Sequence, residues 1–286
     1  MGKRLKNYLY IAPAILFLLL FTLYPIIRSV YLSFFETDSV FSFLDFVGLQ
    51  HYREMLGSKV FWEVCKNTLI FGALQVALST ALGFILALIA NSKKNRLKSL
   101  FKISLFYPYL LPWSVAAMVW MYLLHPARGL VNALIGARVQ WLNSYDLTLF
   151  VLVIISVWKT VGFNFLLFLS GMQSIPQGLY EAFSLDSDNP FRSAWHITIP
   201  MLKPTTFAAV LLAIVGSFQS VDLIYILTQG RPGNSTNTLI YYIYQEGIAS
   251  WNIGYGSALS TFLFLCLLVF TIIYVKARER GDDDEK

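Results

Sequence analysis

Charged side chains are scarce in this sequence: 13% of its 286 residues are Asp, Glu, Lys or Arg, against roughly a quarter in an ordinary soluble domain. With 57% hydrophobic residues, that scarcity places the chain among membrane proteins. A net charge of +6 would suit a nucleic-acid reader only if Lys and Arg clustered on one soluble face, and here they fall between apolar runs. Cys65 and Cys266 lie far apart, so neither a disulfide framework nor a metal-ligand spacing is available. The three histidines, His51, His125 and His196, have no Glu or second His spaced for a metal, and no nucleophile elbow occurs, which argues against a membrane-embedded enzyme. A Gly-x-x-x-x-Gly-Lys-Ser/Thr phosphate loop is lacking too, so the chain is not expected to hydrolyse ATP. No small-residue cleavage site follows the apolar stretch from Leu9 to Val30, which is longer than a signal-peptide core of about 7–15 residues and reads as a retained helix. Internal repeats and low-complexity segments are also missing, so a transporter made of two visible halves is not supported.

What is present is a set of long apolar runs, approximately Tyr10–Val30, Asn67–Ala90, Lys102–Leu124, Leu147–Gln173, Thr205–Thr228 and Ser257–Val275. Each can cross a bilayer core that needs about 20 apolar residues. Their length without alternation excludes a barrel and predicts an all-α, six-span membrane protein. Fourteen basic residues fall on one side of these spans and six on the other. The excess predicts that both termini face the cytoplasm. Trp62, Trp113, Trp141 and Trp251 then fall in or near the external loops, as an aromatic belt requires.

The cytoplasmic segment 174–204 is too long for a simple connection. Pro176 ends the fourth span, Pro190 marks a turn between two short helices, and Pro200 and Pro204 precede the fifth span. The first short helix offers Glu181 and Asp186; the second carries Phe191, Trp195 and Ile199 at spacings of four, an apolar stripe. Such a pair serves either as a docking surface for a partner or as a surface element packed on its own bundle.

The same segment resembles the cytoplasmic motif of membrane subunits of binding-protein-dependent ABC importers: Glu-Ala-Ala, three residues, Gly, nine residues, Ile, one residue, Leu-Pro. Here Glu181-Ala182-Phe183, Ser187, Ile197-Thr198-Ile199 and Pro200 keep every spacing, with Phe183, Ser187 and Ile199 as departures. Tyr10-Ile-Ala-Pro13, Val47 through Tyr52, Pro126 through Asn132, Trp158 through Pro176, Asp222 through Tyr225, Thr228 through Pro232 and Thr238 through Tyr244 resemble the carbohydrate-uptake branch of that family. The resemblance implies a single permease domain over 1–286 with the type I importer fold. It implies a second permease subunit, two ATPase subunits that bind ATP and Mg, and an extracellular solute-binding protein, in a bacterial plasma membrane. Glu181, Ala182, Asp186, Ser187, Ile197 and Pro200 would then couple to the ATPase.

Two charged residues inside spans, Lys159 and Asp222, mark an expected solute path, because a charge at a bilayer centre costs roughly 3 kcal/mol and usually faces a cavity or a partner. Helical rise puts them at similar depth. Near them stand Trp158, Phe163, Asn164, Ser217, Gln219 and Ser220, aromatic and hydrogen-bonding groups suited to a polyhydroxylated solute. In maltose-type relatives the corresponding stretches line the sugar site. The alternative is a structural Lys159–Asp222 pair; a cationic Lys159 facing the cavity would instead favour a phosphorylated ligand such as glycerol 3-phosphate. The external loops 125–146 and 229–256 either receive the binding protein or cap the bundle.

Overall fold

A bilayer offers the backbone no hydrogen-bond partner, so each apolar run has to close its own ladder. The computed structural model describes residues 2–37, 44–91, 98–187, 189–218 and 220–283. Among them four helices are long and apolar enough to cross a membrane, or as many as six if each of two bent pairs, Lys102–Leu110 with Trp113–Leu123 at 105° and Phe191–Met201 with Lys203–Ser217 at 71°, is one span. In chain order, α1 (Gly2–Leu18), a π segment (Leu19–Leu23) and α2 (Tyr24–Leu32) form the first span, and β1 (Phe35–Thr37) and β2 (Leu44–Phe46) an external hairpin. Then come α3 (Gln50–Gly57), α4 (Lys59–Asn91), α5 (Lys98–Leu110), α6 (Trp113–Leu123), α7 (Leu130–Ile135) and α8 (Thr148–Gln173). The cytoplasmic pair is α9 (Gln177–Asp186), followed by α10 (Pro190–Ser193), a π segment (Ala194–Thr198) and α11 (Ile199–Met201). The chain continues through α12 (Lys203–Ser217), α13 (Val221–Leu227), α14 (Leu239–Tyr244), a π segment (Gln245–Ala249) and α15 (Ile253–Asp283).

These elements cluster into two compact units, Met1–Trp62 with Leu239–Lys286, and Glu63–Thr238. In the first unit, α15 packs on α2, α3 and α14. The first span exposes Phe17 and Phe21 at 65% each and Ile27 at 66%, an apolar face suited to lipid or to another membrane subunit. Its π segment just precedes Pro25, which has no N–H for the Phe21 carbonyl and crowds it. The wide turn, closed by Tyr24 N–H donating to the Leu19 carbonyl, absorbs the mismatch. The antiparallel hairpin, Phe35 opposite Phe46, is an addition to the all-helical expectation. Between α14 and α15 of this unit, burial and then the nearby Glu54 push the Glu246 carboxyl above the usual carboxylate range.

In the second unit α8 is apolar all round and is the most buried span, with α5 and α12 packed on it. Gly162 makes the α5 crossing possible, because a methyl there would overlap the Leu105 carbonyl. Between α4 and α8 the buried amides pair: Gln75 Nε2 donates to Thr160 Oγ1 at 3.1 Å and Asn164 Nδ2 to Ser79 Oγ at 3.1 Å. At the cytoplasmic end, Phe165, Phe168, Leu169 and Met172 of α8 join Ala87 and Ala90 of α4, and Leu202 and Ala209 from around α12, in one core.

Two spans that read as continuous are interrupted. The stretch Lys102–Leu124 breaks between α5 and α6 with a bend of 105°, because Pro112 cannot donate to the Pro108 carbonyl. The stretch Thr205–Thr228 ends as α12 at Ser217, after 15 residues or about 22 Å, and resumes as α13. At that break the hydroxyls of Ser217 and Ser220 donate to the carbonyls of Ile214 and Ser217, competing with the helical ladder.

Two outcomes follow. Gly162→Ala should destabilise the detergent-solubilised protein by about 1–3 kcal/mol through overpacking, whereas Gly178→Ala, in α9 with open space around it, should leave it unchanged or slightly firmer. Equal melting temperatures for the two variants would contradict the crossing. For Glu246, a carboxyl raised in the fold contributes stability that is present below its unfolded pKa and lost as pH rises through the folded value. Thermal melts between about pH 4 and pH 7 should show Glu246→Gln stabilised relative to the parent at the upper end, with the gap closing as pH falls.

Candidate functional site

The cytoplasmic helix pair begins where Pro176 terminates the chain's path out of α8. In α9, Glu181, Ala182 and Asp186 are all exposed, and Glu181 Oε1 accepts a bond from Gln177 Nε2 at 2.7 Å. Ser187, standing where the family motif has Gly, has φ −163°, an extended conformation open to any residue, so the turn has no need of glycine there. Its Oγ accepts from the Asn189 N–H at 3.3 Å, and Asn189 Oδ1 accepts from the Phe191 N–H at 2.9 Å. Asn189 thus caps the second helix, with Pro190 at its first position.

The two helices hold each other through Tyr180 Oη and Thr198 Oγ1, 3.0 Å apart, and through Phe183 stacked on His196 at 5.9 Å. Phe183, the departure from the second Ala of the motif, therefore has a packing role. The π segment Ala194–Thr198 precedes Pro200 as the earlier one precedes Pro25, with Ile199 N–H donating to the Ala194 carbonyl. Half-buried Ile197 and Tyr180 pack against the core shared by α4, α8 and α12. The opposite face is uncovered: Phe191 is 85% and Trp195 70% exposed, with Leu185 and Ile199 also exposed and Pro200 beside them. An apolar surface of this size next to Glu181 and Asp186 has the composition of a protein-docking site.

About 20 Å further along α8 lies a cavity of about 440 Å³, within the range of small-molecule sites. Three expected pathway residues line it, Lys159, Phe163 and Asn164. Phe163 stacks on Tyr109, centroids 4.9 Å apart and planes 18° apart. Lys159 is 4% exposed and donates to the carbonyls of Pro108 at 3.4 Å, Tyr109 at 3.1 Å and Leu111 at 2.5 Å. Its ammonium also stands 4.9 Å from the Trp113 ring centroid.

The other expected residues are placed differently. Trp158 meets Trp120 edge to face at 5.5 Å. Ser217 and Ser220 are buried and bonded to nearby carbonyls, and Gln219 lies outside the described residues. Asp222 is exposed in the first turn of α13, where a carboxylate complements the helix dipole. No ion pair joins it to Lys159 among the described residues, because the break before α13 ends the straight axis along which their depths were compared.

The cavity also recruits residues that sequence reasoning missed: Gln75, Tyr109, Trp113 and Thr160. Gln75 is 1% exposed, and its Oε1 has no partner among the described residues. The signal for Tyr109 and Trp113 was the pair of prolines, Pro108 and Pro112, since interrupted spans mark solute sites in transporters. On the external side, Asn132 ties its loop together, with Nδ2 donating to the carbonyls of Pro126 and Val139 and Oδ1 accepting from Trp141 Nε1 at 2.7 Å. Asn67 Nδ2 likewise donates to the carbonyls of Asn234 at 2.7 Å and Asn237 at 3.2 Å. Both loops are thereby braced, with Arg128 and Arg231 exposed on them.

Comparison with known proteins gives a consistent picture. The family model for the binding-protein-dependent transport system inner membrane component matches residues 79–280. The sulfoquinovosyl glycerol transport system permease protein SmoG of Agrobacterium fabrum is 34% identical over 96% of this chain and 91% of its own length. The arabinooligosaccharides transport system permease protein AraP of Bacillus subtilis is 34% identical over 96% of this chain and 89% of its own. A bacterial alginate ABC transporter, solved in complex with its alginate pentasaccharide-bound periplasmic protein, shares the fold at a TM-score of 0.83 and 21% identity, over 95% of this chain and 93% of that one.

Proposed function

The chain belongs to the family of inner-membrane components of binding-protein-dependent transport systems, and from that premise we propose that it carries a neutral sugar or oligosaccharide through the cavity beside α8, driven by ATPase subunits docked on α9 to α11. The observation that carries this reading is α8 itself. One helix bears Lys159, Phe163 and Asn164 on the cavity, then Phe165 to Met172 in the core against which Ile197 and Tyr180 of the cytoplasmic pair are packed. A displacement at the docking face therefore reaches the cavity through close-packed side chains and a single rigid element, which suits a rigid-body switch between inward and outward openings.

The ATP and Mg belong to two partner ATPase subunits; a second permease subunit completes the path, and a solute-binding protein delivers the ligand to the braced external loops. Both termini then lie in the cytoplasm, as the distribution of Lys and Arg requires. The face offered to the ATPase subunit is the one that carries Glu181 and Asp186 with the exposed Phe191 and Trp195. In the cavity, the faces of Tyr109, Trp113 and Phe163 suit the C–H faces of sugar rings, and Gln75, Thr160 and Asn164 suit their hydroxyls. The solutes named for two relatives, a sulfoquinovosyl glycerol and arabinooligosaccharides, are of that polyhydroxylated kind, the first with a sulfonate in addition.

Glu181→Lys and Trp195→Ala should each lower uptake about tenfold or more, the scale of a lost interface anchor, and reduce the ATPase subunit recovered with the chain after gentle crosslinking. Uptake and recovery equal to the parent in both variants would remove the docking role. For the solute, cells lacking this chain should lose growth on a neutral oligosaccharide while keeping growth on glycerol 3-phosphate; the reverse pattern would favour the phosphorylated ligand.

A further inference from the structure

Lys159 occupies an unusual place for a cation in a buried span. In a straight helix the carbonyls of Pro108, Tyr109 and Leu111 would meet the N–H groups four residues on. Pro112 has no N–H to offer, and the 105° bend between α5 and α6 breaks the ladder for the other two. The Pro108 carbonyl keeps a tight-turn bond from the Leu111 N–H at 3.3 Å, while those of Tyr109 and Leu111 are left without a backbone donor among the described residues, and the three together make a focus of negative potential inside an apolar bundle. The Lys159 ammonium has three N–H groups, and each reaches one of those carbonyls, between 2.5 and 3.4 Å. The rings of Trp113 and Tyr109, at 4.9 and 5.7 Å, flank the same ammonium.

We propose that Lys159 is the positioning residue of the cavity: it pins the break between α5 and α6 so that Tyr109 and Trp113 line the solute space. It also commits its charge to backbone carbonyls, so that the cavity accepts an uncharged polyhydroxylated solute and disfavours a phosphorylated one. The selectivity half rests on the reading of this cavity as the solute path; the positioning half rests on the hydrogen bonds alone. Helix rigidity supports the assignment, since Lys159 projects from the most buried span while its acceptors sit on the interrupted one.

Thiol labelling in the full chain, in host membrane vesicles and with Cys65 and Cys266 replaced by Ala, tests both halves without knowledge of the solute. Leu111→Cys reports the break and Val215→Cys the cavity, and both residues line the same space. Lys159→Met should speed labelling of Leu111→Cys by about tenfold, corresponding to the loss of about 1.4 kcal/mol of local restraint. Lys159→Arg, which retains a cation and donors, should restore the slow rate, and Lys159→Gln should fall between. An unchanged rate in Lys159→Met at normal membrane abundance overturns the positioning role, and so does failure of Lys159→Arg to rescue.

At Val215→Cys an anionic and a cationic methanethiosulfonate should react in the same ratio as at an exposed external cysteine, and Lys159→Met should leave that ratio unchanged. An anion preference of about tenfold that vanishes in Lys159→Met would mean that the charge faces the cavity, and overturns the selectivity half. If neither reagent reaches Val215→Cys in any nucleotide state, the cavity is not aqueous; the solute-path reading then fails together with the selectivity half, while the Leu111→Cys rates still judge the latch.

Discussion

In lipid, every backbone carbonyl must find its donor within the protein, and the break in the third span leaves those of Tyr109 and Leu111 without a backbone donor among the described residues, beside a Pro108 carbonyl held by one tight-turn bond. The Lys159 ammonium supplies those donors from α8. Much of the second unit follows from that exchange. Pro112 sets where the chain bends away from a straight helix, and residues on both sides of that bend, Tyr109 and Trp113, line the cavity with Lys159. The exchange also accounts for the survival of a lysine in a span whose other residues are almost all apolar or small: a cation that satisfies backbone dipoles is held far more cheaply than one left facing hydrocarbon.

Helix α8 connects this arrangement to the cytoplasm. Thr160 and Asn164 in its middle make the polar pairs to α4, with Gln75 and Ser79; beyond them Phe165, Phe168, Leu169 and Met172 interlock with Ala87, Ala90 and Leu202. The small residues on α4 and Gly162 on α8 let the helices approach closely. Close packing of that kind leaves few voids and transmits strain, and the α9 to α11 pair is seated on it through Ile197 and Tyr180. Within that pair, the departures from the family motif are locally compensated: extended backbone at Ser187 needs no glycine, and Phe183 gains a stacking partner in His196.

How far the architecture was legible follows from which signals are local. Apolar runs of about 20 residues specify spans because bilayer thickness sets the scale, and Pro176, Pro190 and Pro200 delimit the cytoplasmic helices because proline acts on its own neighbourhood. The exposed apolar stripe Phe191, Trp195 and Ile199 was visible for the same reason, as a helical period. The breaks at Pro108–Pro112 and after Ser217 were harder to see, since hydropathy does not register a missing hydrogen bond. The short β1–β2 hairpin is likewise beyond what three-residue strands can signal.

The sequence by itself determined the class of molecule, the apolar runs and the place of the helix pair between Pro176 and Pro204, because hydropathy, proline and helical period act along the chain. Tertiary structure alone decided what Lys159 and Asp222 do. Both looked like pathway charges at one depth, yet Lys159 turns to the carbonyls of a broken neighbour and Asp222 to the start of its own short helix. It also decided that Gln75, Tyr109, Trp113 and Thr160 share a cavity with Phe163 and Asn164. Which groups meet across a helix crossing depends on where a ladder is interrupted and which donor repairs it, and that partner lies some 50 residues away in the chain.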